Sequence, residues 1–211
     1  MPLFKTIRHN KYTSIYVWKI EESFDELALS VSLTNRSKDR LLSMKSELHQ
    51  RGFLSVRHLL KEAGYTDFDL LYNGNGKPHL KDNKHISITH SFTFSALIIS
   101  DVEVGIDIEK NREKIKIIQH KFVNFERGFI HKDDDYLEQL TVIWGAKESL
   151  YKIYPYGGLT FKNDIDIDSF KISDKKTTGY IKATDWDKKY RIYFEQLGGF
   201  TLVYAIDNYH E

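Results

Sequence analysis

Three carboxylates and two lysines carry the chemistry of this chain. Asp107 and Glu109 lie in Gly105-Ile106-Asp107-Ile108-Glu109, and Lys147, Glu148 and Lys152 lie in Trp144-Gly145-Ala146-Lys147-Glu148-Ser149-Leu150-Tyr151-Lys152. Carboxylate oxygens suit a magnesium ion, which takes few protein ligands and keeps water or phosphate oxygens for the rest. Lysines neutralise phosphate charge. The set is suited to holding magnesium against a phosphate chain.

Two elements must position these groups. Val104, Ile106 and Ile108 alternate with Gly105, Asp107 and Glu109, the period of a half-buried strand. Asp107 and Glu109 then project from one face, roughly 7 Å apart along the strand. Two carboxylates that close repel each other unless a cation lies between them. Gly105, without a side chain, would let a ligand approach the backbone. Trp144, Lys147, Glu148, Tyr151 and Lys152 recur at the spacing of one helix face. Glu148 and Lys152 form an i, i+4 pair in the favourable order, worth a few tenths of a kcal/mol, about 0.2–0.5, if it is only a surface salt bridge.

Together the two motifs resemble those of the 4′-phosphopantetheinyl transferase superfamily, G-[IV]-D followed about forty residues later by W-x-x-K-E-[AS]-x-x-K. The likeness is to the longer, single-chain type that activates peptide synthetases such as the surfactin enzyme, and less to the short trimeric holo-acyl-carrier-protein synthases. Gly76-Lys77-Pro78 and Ile86-Ser87-Ile88-Thr89-His90-Ser91 resemble the family's G-K-P and N-[IL]-S-H-[ST]. Here Ser87 replaces the usual Asn and Thr89 the usual Ser. Threonine keeps the hydroxyl. Gly157-Gly158-Leu159 resembles the glycine-rich stretch that follows the K-E helix in the family.

The resemblance implies an α+β fold, a pseudo-dimer of two similar halves with the active site in the cleft between them. The halves would be residues 1–103, on the adenosine-phosphate side of coenzyme A, and 104–211, carrying the metal and catalytic motifs. An echo of Phe94–Asp101 in Phe200–Asp207 agrees with such a duplication. The implied reaction moves the 4′-phosphopantetheine arm of coenzyme A to a serine of an acyl or peptidyl carrier protein and releases adenosine 3′,5′-bisphosphate. Asp107, Glu109 and Glu148 would hold Mg2+. Glu148, or a water it orients, would deprotonate the serine, and Lys152 would neutralise the diphosphate. Lys147 is expected to pair with an acidic neighbour, and Glu126 lies near a further acidic residue of the family. Lys77, Thr89, His90 and one or both of Arg51 and Arg57 would bind the coenzyme's phosphates, with Arg36 and Lys38 as lesser candidates.

Composition is consistent with this. The 211-residue chain is 41% hydrophobic, with 13 Tyr and 13 Phe, so it can bury a sizeable core. No apolar run approaches the roughly 18 residues of a membrane helix, and the first residues lack a signal peptide's apolar core. The absence of cysteine excludes disulfides and thiol catalysis. A cytoplasmic monomer bound to neither membrane nor nucleic acid is the expectation. Net charge is only +1, yet Arg36 to Lys61 holds seven basic residues against Asp39 and Glu47. A basic excess confined to one segment suits a compact anion better than a long nucleic acid. His79, His85 and His90 match no zinc spacing, and His49, His58, His120, His131 and His210 are expected to be solvated or structural. A different magnesium-dependent phosphoryl enzyme, or a carrier-binding module without catalysis, are the competing readings. The first would need the carboxylates but not the basic segment.

Pattern and punctuation predict strands at Ser14–Ile20, Leu70–Tyr72, Ile86–Thr89, Phe94–Ser100, Phe170–Ile172, Gly179–Ala183, Lys189–Glu195 and Phe200–Ile206. Helices are predicted at Ser23–Ser30, at Lys38–Ala63 (one, or two joined near Gly52 and closed by Gly64), at Phe122–Ile130 and at Tyr136–Tyr154, the last two split by a charged turn at His131–Asp135. Asn73–Gly76 reads as a hairpin turn, and His90-Ser91 as a strand exit opening a helix whose amides bind phosphate.

Overall fold

The computed structural model describes residues 3–132, 135–184 and 186–207. The chain divides into two compact units, Met1–Asp101 and Val102–Glu211, and the architecture is α+β.

In the first unit, strands β1 (Leu3–Arg8), β2 (Thr13–Lys19), β5 (His85–Ser91) and β6 (Phe94–Ser100) form an antiparallel sheet in the order β1-β2-β6-β5. Helix α1 (Phe24–Leu29) starts at Ser23, whose hydroxyl and Glu26 satisfy each other's backbone amides in a capping box. Helix α2 (Asn35–Ser43) starts at Thr34, whose side chain accepts from the Ser37 amide. Helix α3 (Glu47–Glu62) packs against the sheet and buries Phe53, Leu54, Leu59 and Leu60 with Leu97 and Ile99 of β6. The Lys38–Ala63 pattern is therefore two helices, but they part at Met44–Ser46, where Met44 turns extended (ψ 123°), and not at Gly52. Gly64, at φ 85°, closes α3 as expected of a C-terminal glycine.

The short strands β3 (Leu70–Tyr72) and β4 (Pro78–Leu80) pair across the predicted turn. Asn73 Oδ1 accepts from the amides of Asn75 and Lys77, both at 3.0 Å, and Gly76 supplies the positive φ of 79°.

In the second unit, β7 (Val104–Lys110), β8 (Ile165–Ile167), β9 (Lys176–Ala183), β10 (Trp186–Leu197) and β11 (Phe200–Asp207) form a sheet in the order β7-β11-β10-β9-β8. Helix α4 (Lys114–Ile118) and the long helix α5 (Tyr136–Ile153) lie with it. Leu140, Ile143, Ala146, Leu150 and Ile153 of α5 bury themselves among Ile167, Ile192, Phe194, Val203 and Ala205. Both strands of the sequence echo, β6 and β11, lie inside their sheets with an antiparallel neighbour on each side.

Two expected elements differ. Phe122–Ile130 is no α-helix: 3-10 turns at Gln119–Lys121 and Phe125–Gly128 replace it, held by the Glu126 carboxylate, which bonds the Asn124 and Ile167 amides. The strand expected at Phe170–Ile172 falls instead at Ile165–Ile167, and Ile172 begins a 3-10 turn. The charged turn at His131–Asp135 includes Asp133 and Asp134, and His210 belongs to the C-terminal tail; all three lie outside the described residues. Among the described residues, no helix is long and apolar enough to cross a membrane.

Candidate active site

The acidic set is built where α5 lies on β7. Contact is possible because residue 105 is glycine: a Cβ there would stand 1.9 Å from the Ser149 carbonyl oxygen. The sequence suggested that a ligand uses this gap. The helix backbone fills it instead, so Gly105 sets how closely the strand and helix acids approach.

Asp107 is buried, 5% exposed. Lys152 Nζ lies 2.9 Å from its Oδ1 and donates to the Ile106 carbonyl at 2.8 Å. Lys152 thus joins helix to strand through Asp107. Glu148 is half-buried one helical turn before it. Its carboxyl is pushed up to about 7 by burial first, then by the Asp107 charge; Lys152 opposes and Glu109 adds to the rise. Glu109, half-buried on the same strand face as Asp107, borders a cavity of about 160 Å³ with Lys110, Arg112, Lys114, Thr141 and Trp144.

The donor set fits a divalent cation in its chemistry. Burial first, and then the charges of Asp107 and Glu109, raise the Glu148 carboxyl, and a cation among the three carboxylates relieves that cost. The set is not assembled as a cage: among the described residues, no three His, Asp or Glu side chains are gathered for a metal.

Lys147 has another task. It is fully buried, with Nζ 2.7 Å from Glu126 Oε1 and within 2.7–2.8 Å of the carbonyls of Phe122, Phe161 and Ile165. Burial pulls its ammonium below the ordinary lysine range, and the Glu126 charge opposes that. Lys147 pairs with an acidic neighbour as the sequence suggested. That neighbour is Glu126, itself fully buried and committed to two backbone amides, so Glu126 ties the 119–128 segment to α5 and β8. No periodicity revealed this pair, because neither residue type marks its own burial.

The expected anion-binding residues lie in the first unit. Lys77 follows the glycine turn, half-buried. Thr89 is buried and His90 exposed in β5. His90-Ser91 opens no helix: it ends β5 and turns through Phe92, at φ 50°, directly into β6. The His90 ring lies against α3, 6.2 Å between centroids from that of His49. Arg51, on the same helix, donates to the Ile20 carbonyl at 3.4 Å through Nη2, while its buried Nε has no hydrogen-bond partner among the described residues. Arg57 is placed differently. It is 5% exposed, bonded to Asp67 at 2.9 Å, to the Phe53 carbonyl at 3.1 Å and to Ser37 at 3.3 Å. Those contacts hold α2 and α3 together. Arg36 and Arg40 reach over the Tyr72 ring, at 5.3 and 5.8 Å, beside a cavity of about 390 Å³ that His79 also lines. Lys38 is exposed. Sequence reasoning did not single out Arg40 or Tyr72; a cation over an aromatic ring has no sequence spacing when the ring lies on another element.

The acid strand, the K-E helix laid across it and the lysine bridging the two bring both acidic motifs of the sequence together. Residues 103–208, half of the chain, match the model of the 4′-phosphopantetheinyl transferase superfamily, and the chain belongs to that superfamily. No curated protein matches it.

Proposed function

We propose that this protein transfers the 4′-phosphopantetheine group of coenzyme A to a serine of an apo acyl or peptidyl carrier protein, as a cytoplasmic monomer of the longer, single-chain type. The observation that carries the proposal is the acid–lysine centre of α5 and β7, with Glu148 held near neutrality beside Asp107. A two-half pseudo-dimer with the site in its cleft is part of the proposal.

The serine oxygen attacks the β-phosphorus of the coenzyme diphosphate. The bond from that phosphorus to the bridging oxygen breaks, and adenosine 3′,5′-bisphosphate leaves with the electron pair. Phosphoryl transfer of this kind is mostly positioning and charge stabilisation. A bound Mg2+ supplies charge neutralisation at the diphosphate, and Asp107, Glu109 and Glu148 are the residues that would hold it. Glu148, or a water it orients, accepts the serine proton; without metal its carboxyl is pushed up to about 7 by burial and the Asp107 charge. Lys152 balances the charge that develops on the leaving phosphate. Lys77, Thr89, His90 and Arg51 bind the adenosine-phosphate end, with Arg36 and Lys38 near it in sequence. Loss of Lys77 or His90 weakens coenzyme A binding more than it slows transfer.

Mass spectrometry of a panel of apo carrier proteins, incubated with enzyme, coenzyme A and magnesium, tests the reaction class. One added phosphopantetheine on any carrier supports it. Coenzyme A hydrolysis without carrier modification points to another magnesium-dependent phosphoryl enzyme. Carrier binding without turnover points to a binding module.

A further inference from the structure

A glycine in the middle of a helix costs about 1 kcal/mol relative to alanine, and Gly52 occupies such a place, six residues into the 16-residue α3. It has no positive φ to require it. It does have a close neighbour: a Cβ at residue 52 would stand 3.1 Å from His90 Nδ1 and 3.2 Å from His90 Cγ, a contact that the ring would have to yield to accommodate. The imidazole of His90 rests on the bare backbone of the helix, and one turn earlier His49 turns its own ring toward it.

The helix is held in register for this. His90 is cross-strand partner to Ser95 on β6. Ser95 Oγ is bonded to Ser55 Oγ at 2.8 Å, and Ser55 Oγ donates to the Gly52 carbonyl at 2.8 Å. Ser55 and Ser95 are both fully buried. A buried hydroxyl pair of this kind fixes a unique arrangement because an unmade bond there is costly. The chain His90–Ser95–Ser55–Gly52 places the one side-chain-free position of α3 under the ring.

We propose that Gly52 is a positioning residue for coenzyme A. It seats the His90 imidazole against α3, and the Ser55–Ser95 bond keeps that seat in register, so that the ring presents a nitrogen to the anionic adenosine-phosphate end of the ligand. The inference rests on the function proposed above and concerns how its His90 contact is aimed. Of these two residues His90 touches the ligand, and Gly52 acts through it.

Binding of coenzyme A and of 3′-dephospho-coenzyme A is measured by calorimetry for wild type, Gly52→Ala, His90→Ala and the double variant, with melting temperatures alongside. A glycine that served only the helix would be improved by alanine, with an unchanged or higher Tm and unchanged binding. The expected result is instead about tenfold weaker coenzyme A binding in Gly52→Ala, with reduced preference for the 3′-phosphorylated form. Adding Gly52→Ala to His90→Ala should then cost nothing further. Wild-type affinity in Gly52→Ala, or an equal loss in both backgrounds, overturns the inference and leaves the transferase reading standing. A wild type that binds neither coenzyme form overturns both. If Gly52→Ala melts early, Ser55→Ala provides the second arm: weaker discrimination of the 3′-phosphate supports the seat, and unchanged discrimination contradicts it.

Discussion

Lys152 Nζ stands 2.9 Å from Asp107 Oδ1, and this ion pair crosses from helix α5 to strand β7. The lysine of the K-E-x-x-x-K motif is therefore engaged with the strand acid, and its effect on Glu148 is through space. Two residues that read in the sequence as an i, i+4 surface pair belong to a three-cornered arrangement with Asp107, in which one cation serves two acids. That makes Lys152 part of the charge balance of the site.

Asp107→Ala removes both the partner of Lys152 and a proposed metal ligand. Transfer should fall by about 100-fold or more, the scale seen when a group stabilising transition-state charge is deleted. Asp107 also anchors Lys152 across α5 and β7, so circular dichroism and melting temperature are measured alongside to separate lost chemistry from lost stability. Near-native turnover in saturating magnesium would show that the metal assignment is wrong.

The raised carboxyl of Glu148 makes metal-free stability depend on pH. The folded protein holds this proton up to about 7, whereas the unfolded chain releases it near the ordinary 4.5. The folded state binds more protons in between, so this group's contribution to stability declines as pH rises from about 4.5 to about 7. Glu148→Gln should flatten that part of the stability curve. Denaturant midpoints across the range, in chelator, check it; a slope unchanged in Glu148→Gln would mean that the carboxyl is not strained by its surroundings.

The Lys147–Glu126 pair is a structural prediction. Lys147→Ala leaves a buried carboxylate without its cation, and breaking such a pair typically costs about 3–5 kcal/mol. Lys147→Met with Glu126→Gln should recover part of that loss, because no charge then remains buried. Urea unfolding of the single and double variants measures it. A loss of activity at unchanged stability would instead place Lys147 in the catalytic machinery.

Gly105→Ala should be among the most damaging small substitutions. The new methyl meets a helix carbonyl at 1.9 Å, and neither element can yield without separating the acids of β7 from Glu148. Overpacking of a tight site costs about 1–3 kcal/mol, and more where backbone must shift. A variant with native melting temperature and native rate would contradict the close-contact account.

Much of this site was legible in the sequence because its motifs follow element periods. Val104, Ile106 and Ile108 alternate with the acids, and the K-E residues recur at helical spacing, so strand and helix were found, although β7 is buried on both faces from Val104 to Ile108 rather than half-buried. The helix ends at Ser23 and Gly64 follow capping chemistry that is local in sequence, whereas the cap at Thr34 lies four residues before the predicted start at Lys38. What was illegible depends on distant partners. Arg57 looked like its basic neighbours until Asp67 and Ser37, far along the chain, were brought to it. The break at Met44–Ser46 carries no glycine or proline, while Gly52, which suggested a break, lies inside α3 with the His90 ring beside it. Phe122–Ile130 looks helical, but the Glu126 carboxylate takes over backbone amides there and stabilises tighter turns.

The central claim is that Glu148, Asp107 and Lys152 act on one transition state. Single-turnover transfer by wild type, Glu148→Gln, Lys152→Ala and the double variant, at saturating coenzyme A, magnesium and an apo carrier protein, tests it most directly. Glu148→Gln is expected to retain coenzyme A binding and nearly abolish turnover, and Lys152→Ala should then cost far less in the Glu148→Gln background than alone, because residues that act as a unit are strongly non-additive. Full activity in Glu148→Gln, or losses that simply add, would contradict the account.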